Sequence, residues 1–233
     1  MAMNPKLLRP KAASHAAPPV PTDPLFADVS LLLHFDGTNE STSFSDSSSN
    51  GLTVTANGNA QISTAQSKFG GSSYYCQDSF SDFLEIATAG SQLLFAGDYT
   101  IEAWMWFAAL NADMSVYYSY ISSEGYLALN ITPSDFNVYF QSISPDFAPA
   151  HSVPVEQWVH VAMVRSNGTV SIYQDGTLLD SVSSGGTHGH SAPESVRICN
   201  TGGNELYVDE FRITKAARYT GAFTPPDAPF PDQ

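Results

Sequence analysis

Residues 99–107, Tyr-Thr-Ile-Glu-Ala-Trp-Met-Trp-Phe, constrain this chain more than any other stretch. Ile101, Ala103, Met105 and Phe107 fall on one side of an extended backbone, and Thr100, Glu102, Trp104 and Trp106 on the other. Apolar groups on both sides mark a central strand. An opposing sheet is expected to cover one side, and loops or a neighbouring molecule the other.

The remainder reads as short strands punctuated by turns. Strands are expected at 29–35, 52–55, 61–63, 72–76, 82–86, 116–121, 126–131, 136–142, 158–164, 169–173, 196–199 and 206–213, with one helical turn at 91–95. Asp36-Gly37 closes the first strand, Ser166-Asn167-Gly168 joins two others, and Asp175-Gly176 predicts a tight hairpin because both residues accept positive φ. This pattern specifies an all-β fold, a two-sheet antiparallel β-sandwich of jelly-roll type. A length of 233 residues suits one such domain, and 14 Phe with 11 Tyr suit sheet faces.

The ends differ from the middle. Pro5, Pro10, Pro18, Pro19, Pro21 and Pro24 forbid regular pairing near the start, where Lys6, Arg9 and Lys11 also sit. The expected organisation is an N-terminal arm over 1–26, a sandwich over 27–216 and an extended basic, aromatic tail over 217–233. A formal charge of -14 with only 9 Lys and Arg argues against a nucleic-acid partner. No apolar run approaches the ~18 residues of a membrane span, and residues 1–24 lack the apolar core of a secretory signal. Cys76 and Cys199 are too few for a disulfide framework; they read as buried thiols, with a single long-range bridge as the alternative.

Six segments in order resemble the laminin-G-like, or concanavalin A-like, lectin family. They are Val29-Ser-Leu-Leu-Leu-His-Phe-Asp-Gly37, Lys68-Phe-Gly-Gly-Ser-Ser-Tyr-Tyr75, Tyr99-Thr-Ile-Glu-Ala-Trp104, Trp158-Val-His-Val-Ala-Met-Val-Arg165, Tyr173-Gln-Asp-Gly176 and Val208-Asp-Glu-Phe-Arg-Ile213. The variety most similar occurs in tailed-phage structural proteins, where a Leu-Leu-Arg-Pro leader (here Leu7 to Pro10) and an Ala-Arg-Tyr-Thr tail (Ala217 to Thr220) accompany the domain. The resemblance implies a structural calcium held with the help of Asp36 and Asp209, against the alternative that both make ordinary turn and strand-end hydrogen bonds. Asp46 and Glu210 are further candidates.

Trp104, Trp106 and Trp158 are expected to anchor the core, with Trp106 the candidate for stacking on a sugar. Tyr117, Tyr118, Tyr126 and the loop carrying His188 and His190 are the other ligand-binding candidates. Thr187-His-Gly-His190, even with His151 and His160, reads as a solvated turn rather than a metal site. No second carboxylate follows Glu102 at the next same-face position, and no nucleophile elbow or P-loop is present, so the chain is expected not to be an enzyme. The resemblance and the arm imply a subunit on the surface of a phage particle, as capsid decoration or at the tail. Lys6, Leu7, Leu8, Arg9 and Pro10 would fasten it to other virion proteins, in a homo-oligomer that touches host polysaccharide. A free carbohydrate-binding lectin module is the alternative, and a polysaccharide-cleaving enzyme a third.

Overall fold

The computed structural model describes residues 22–77, 79–86, 92–121, 125–142, 146–189, 195–201 and 205–233. The expected anchor Lys6, Leu7, Leu8, Arg9 and Pro10 lies outside these residues, as does His190. Of Tyr126 only the backbone place is described.

Two antiparallel sheets stack face to face. The larger takes β1 (Val29–Leu33), β3 (Gln61–Ser63), β4 (Ser73–Cys76), β7 (Tyr99–Phe107), β11 (Trp158–Ser166), β12 (Thr169–Gln174), β13 (Thr177–Ser183) and β16 (Leu206–Thr214). Their order is β13-β12-β11-β7-β16-β4-β3, with β1 also paired to β16. The smaller takes β2 (Val54–Asn57), β5 (Phe83–Ile86), β8 (Met114–Ile121), β9 (Gly125–Ile131), β10 (Phe136–Ser142) and β15 (Ser195–Thr201), in the order β10-β9-β8-β15-β5-β2. A two-stranded ribbon joins β6 (Leu94–Phe95) to β14 (His188–Gly189). A strand thus stands where 91–95 predicted a helical turn, because Phe95 pairs with His188 from a segment some ninety residues away.

The β7 pattern is realised as read. Ile101, Ala103, Met105 and Phe107 enter the inter-sheet core, where Tyr74, Tyr117, Phe136 and Phe211 are also fully buried. Each such ring contributes roughly 2–3 kcal/mol through burial. The tryptophans do not join this core. Trp104, Trp106 and Trp158 all point from the outer face of the large sheet, and Trp104 is buried there by Lys68, whose Nζ lies 3.7 Å from the ring centroid. Cys76 and Cys199 are buried thiols that form no disulfide.

The same chain covers much of that outer face. Tyr219 and Phe223 stack at 3.5 Å and pack on Ala162, Val164 and Tyr173. Phe230 and Phe26 pack on Val29 and Leu32. The hairpin turn at Asp175 and Gly176 has φ of 47° and 75°. Phe223 N donates to Gly176 O at 3.0 Å, and any Cβ at Gly176 would strike the Phe223 carbonyl oxygen. Asp23 N donates to Gln233 O at 2.8 Å, and Asp23 accepts from Arg212 and Arg218, so residues 23–26 belong to this cover rather than to an arm outside the sandwich.

Candidate functional site

The outer face of the six-stranded sheet is built by register. Side chains directly opposite each other on neighbouring strands share a face. Tyr139 stands opposite Ala128, Ala128 opposite Tyr118, Tyr118 opposite Arg197, Arg197 opposite Glu85, and Glu85 opposite Thr55. Their neighbours along each strand, among them Val138, Leu127, Leu129, Tyr117, Ile198 and Leu84, are buried between the sheets. The row therefore turns outward across all six strands. Asn137, Asn130 and Ser115 form a parallel row on the same face.

Arg197 stands in the first of these rows, between Tyr118 and Glu85. Its guanidinium carbon lies 4.1 Å from the Phe83 ring centroid, while its Nε and the Asn130 Oδ1 are buried atoms without a hydrogen-bond partner among the described residues. Such atoms ordinarily find a partner, because leaving one unmade costs about 1–3 kcal/mol. Half-buried tyrosines beside amides and a guanidinium offer what a sugar ring presents in reverse: flat apolar faces next to donors and acceptors for hydroxyls.

Of the expected ligand-binding residues whose side chains are described, Tyr118 reaches this face. Tyr117 is fully buried, because a bulge between Ser115 and Tyr117 shifts the alternation and sends both Val116 and Tyr117 inward. His188 is 1% exposed rather than solvated. Its Nδ1 lies 3.0 Å from Tyr99 Oη and its Nε2 2.7 Å from Ser184 Oγ, and the ring stacks on Phe140. Burial and the nearby Arg165 guanidinium push its pKa down to about 4. Trp106 lies on the opposite side of the molecule, in the large sheet. Sequence reading missed Tyr139, Arg197, Asn130 and Asn137. Alternation within 136–142 carried the signal for Asn137 and Tyr139, since Phe136 and Val138 mark the inward phase.

Asp36 and Asp209 both face the turn at residues 68–70. Asp209 is buried; its Oδ2 accepts from Lys68 N (2.7 Å) and Phe69 N (3.0 Å), while Oδ1 has no hydrogen-bond partner among the described residues. Burial lifts its pKa to about 7 despite those two bonds, and Glu210 and Asp36 push the same way. Gly70, at φ +60°, leaves room for the Asp36 carboxylate that a Cβ would occupy. The orphaned oxygen and this cradle fit a hard cation. Among the described residues no group of three His, Cys, Asp or Glu is placed to hold a metal, so further ligands would be carbonyl oxygens and water. Asp46 instead organises its own loop, accepting from Leu32 N, Ser48 N and Leu52 N. Glu210 is engaged by His34 and Phe230 N.

Glu102 is committed elsewhere. Burial alone would raise its pKa, but Arg212 and His160 hold it at about 2. Tyr219 Oη also donates to it at 2.8 Å.

A sequence model of the concanavalin A-like lectin/glucanases superfamily matches residues 78–226. The chain belongs to that superfamily. Among solved structures it is similar to the binding domain of botulinum neurotoxin DC in complex with rat synaptotagmin II, at TM-score 0.65 and 14% identity, over 84% of this chain and 50% of that one. The serotype C1 binding domain gives 0.64 and 14%, over 84% and 50%, and the serotype G domain 0.62 and 12%, over 82% and 48%. The chain thus spans about half the length of these neighbours, and the likeness is one of fold. No curated protein matches the sequence.

Proposed function

We propose that this member of the superfamily is a non-enzymatic glycan-binding module whose ligand lies across Tyr139, Tyr118 and Arg197. The observation that carries this reading is the cross-strand row on the outer face of the six-stranded sheet, where half-buried Tyr118 and Tyr139 share a face with Arg197 and Asn130, whose Nε and Oδ1 lack hydrogen-bond partners among the described residues. The row supplies one carboxylate, Glu85, facing Arg197, whereas a retaining glycosidase uses two about 5 Å apart. One structural neighbour is a botulinum neurotoxin DC binding domain in complex with SialylT, and for the type C toxin, another neighbour, cell entry depends on interaction with two ganglioside molecules. Those ligands belong to the toxins; here they support only the choice of glycans as the class to test. A glycan array followed by calorimetry tests the reading. Tyr118→Ala and Arg197→Ala should each weaken any positive ligand at least ten-fold, and an array without a positive ligand would sink it.

The finer proposal is a subunit displayed on a phage particle, anchored through Lys6, Leu7, Leu8, Arg9 and Pro10 to other virion proteins, in a homo-oligomer. What favours it is polarity. Asp23 is fastened on the outer face of the large sheet, while the candidate glycan face is the outer face of the other sheet. A module tethered from one side would present its ligand face away from the support. Loss of particle association on deleting residues 1–21 supports this proposal; unchanged incorporation would refute it. Calcium bound through Asp36 and Asp209 is a further proposal, supported by Asp209 Oδ1, which has no hydrogen-bond partner among the described residues.

A further inference from the structure

One stretch of the large sheet's outer face is left bare by the tail. Register places Trp158 opposite Trp106, Trp106 opposite Tyr207, Tyr207 opposite Tyr75, and Tyr75 opposite Gln61. All four aromatics are half-buried. Tyr75 and Tyr207 stack at 4.8 Å, and Trp106 meets Tyr207 edge-on at 5.4 Å. The row crosses four strands, about 15 Å at ~4.8 Å per strand. Two exposed carboxylates bracket it: Glu156 N donates to Phe107 O at 2.8 Å, and Ala108 N donates to Glu205 O at 3.1 Å, so both residues flank the end of β7. Exposed Val155 adjoins Glu156.

We propose that this row is the docking surface for the proline-rich segment 1–21 of the same chain in the free subunit, before that segment engages a particle. Three observations select that occupant. The first is position: the segment joins the described chain at Thr22, beside Asp23, and Asp23 is bonded to Arg212 on the very strand that carries Tyr207. From Arg212 to Tyr207 is about 16 Å at ~3.3 Å per residue. Some five residues of polyproline II, at ~3.1 Å each, cross that gap and leave Lys6 to Lys11 to lie over the aromatic row.

The second is charge. All 23 acidic residues lie beyond residue 21, whereas 1–21 carries Lys6, Arg9 and Lys11 and no acid. Glu156 and Glu205 are placed to receive those cations. The third is chemistry: Pro5, Pro10, Pro18, Pro19 and Pro21 supply the flat, donor-poor surface that Trp and Tyr rows receive in proline-rich recognition. A short intramolecular tether raises the local concentration of the segment to the millimolar range, so weak contacts suffice.

The test uses the full chain. Cys76 and Cys199 are both fully buried, so Ala12→Cys takes a thiol-reactive acceptor selectively, and the three tryptophans, all on this face, serve as donors. Energy transfer should be efficient at low salt and independent of protein concentration. It should fall at least two-fold in 1 M salt, in Tyr207→Ala and in Glu156→Lys/Glu205→Lys. Adding Arg9→Glu/Lys11→Glu to the last pair should restore it, which also guards against a variant that merely misfolds. Transfer unaffected by the charge reversals overturns the proposal. Transfer that grows with protein concentration also overturns it, because the segment would then be crossing to another copy.

Discussion

Arg212 grips Glu102 through two nitrogens, Nε at 2.9 Å and Nη2 at 2.8 Å from the same carboxylate oxygen, with neither residue more than 4% exposed. Asp23 and Arg218 extend the pair, so that the strands β7 and β16, the entry segment and the tail share one network. Removing one partner leaves the other charge buried and uncompensated. Glu102→Ala is expected to cost about 3–5 kcal/mol, read from the midpoint of urea unfolding. A loss within a few tenths of a kcal/mol would mean that the network is inert.

The same carboxylate sets an acid limit. Its folded pKa, about 2, is below the ordinary 4.5, so its contribution is present above pH 4.5 and disappears as pH falls toward 2. Stability should therefore drop through that window in the wild type. In Glu102→Gln the fall between pH 4.5 and 2 should be visibly shallower.

His188 gives a second, milder window. A histidine whose pKa is depressed from 6.5 to about 4 stabilises the fold above pH 6.5 and loses that contribution as pH falls toward 4. Because His188 pairs with Phe95, amide exchange at residues 94, 95 and 188 should accelerate several-fold between pH 6.5 and 4, after correction for intrinsic rates. Protection unchanged over that interval would separate the ring from the ribbon's stability.

Calcium titration addresses Asp36 and Asp209. Millimolar calcium should raise the wild-type melting temperature by several degrees through mass action. Asp209→Asn should abolish most of that gain. Identical melting curves with calcium and with chelator would leave Asp209 as a buried acid that satisfies only the Lys68 and Phe69 amides.

Gly176→Ala probes the tail's seat. The residue combines φ +75° with contact to Phe223, so alanine suffers both backbone strain, about 1–3 kcal/mol, and a clash. Faster proteolysis within residues 216–233 should accompany the loss in stability. Gly185→Ala, which meets nothing within 4 Å, is the control.

Sequence alternation located the sandwich well where strands were regular. β7 was delimited to the residue, and Asp175-Gly176 announced its hairpin, because both signals are local. Parity failed where a bulge intervened: Tyr117 and Tyr118 look equivalent in the sequence, and only the extra residue in β8 turns one inward and the other to the surface. Long-range partners were invisible for a different reason. Nothing near Glu102 announces Arg212, nothing near Arg197 announces Tyr118, and nothing near Asp209 announces the Lys68 amide, since each pairing is made by sheet order rather than by spacing. The tryptophans misled because hydrophobic bulk reports burial without saying against which surface.

The hydrogen bond between Asp23 N and Gln233 O brings the two ends of the described chain within one residue's reach. Joining residue 233 to residue 22 through a few glycines would close the polypeptide into a ring with both sheets undisturbed. By the same geometry the sandwich can be spliced into a surface loop of an unrelated host protein, entering and leaving at a single point, so it is portable as a cassette.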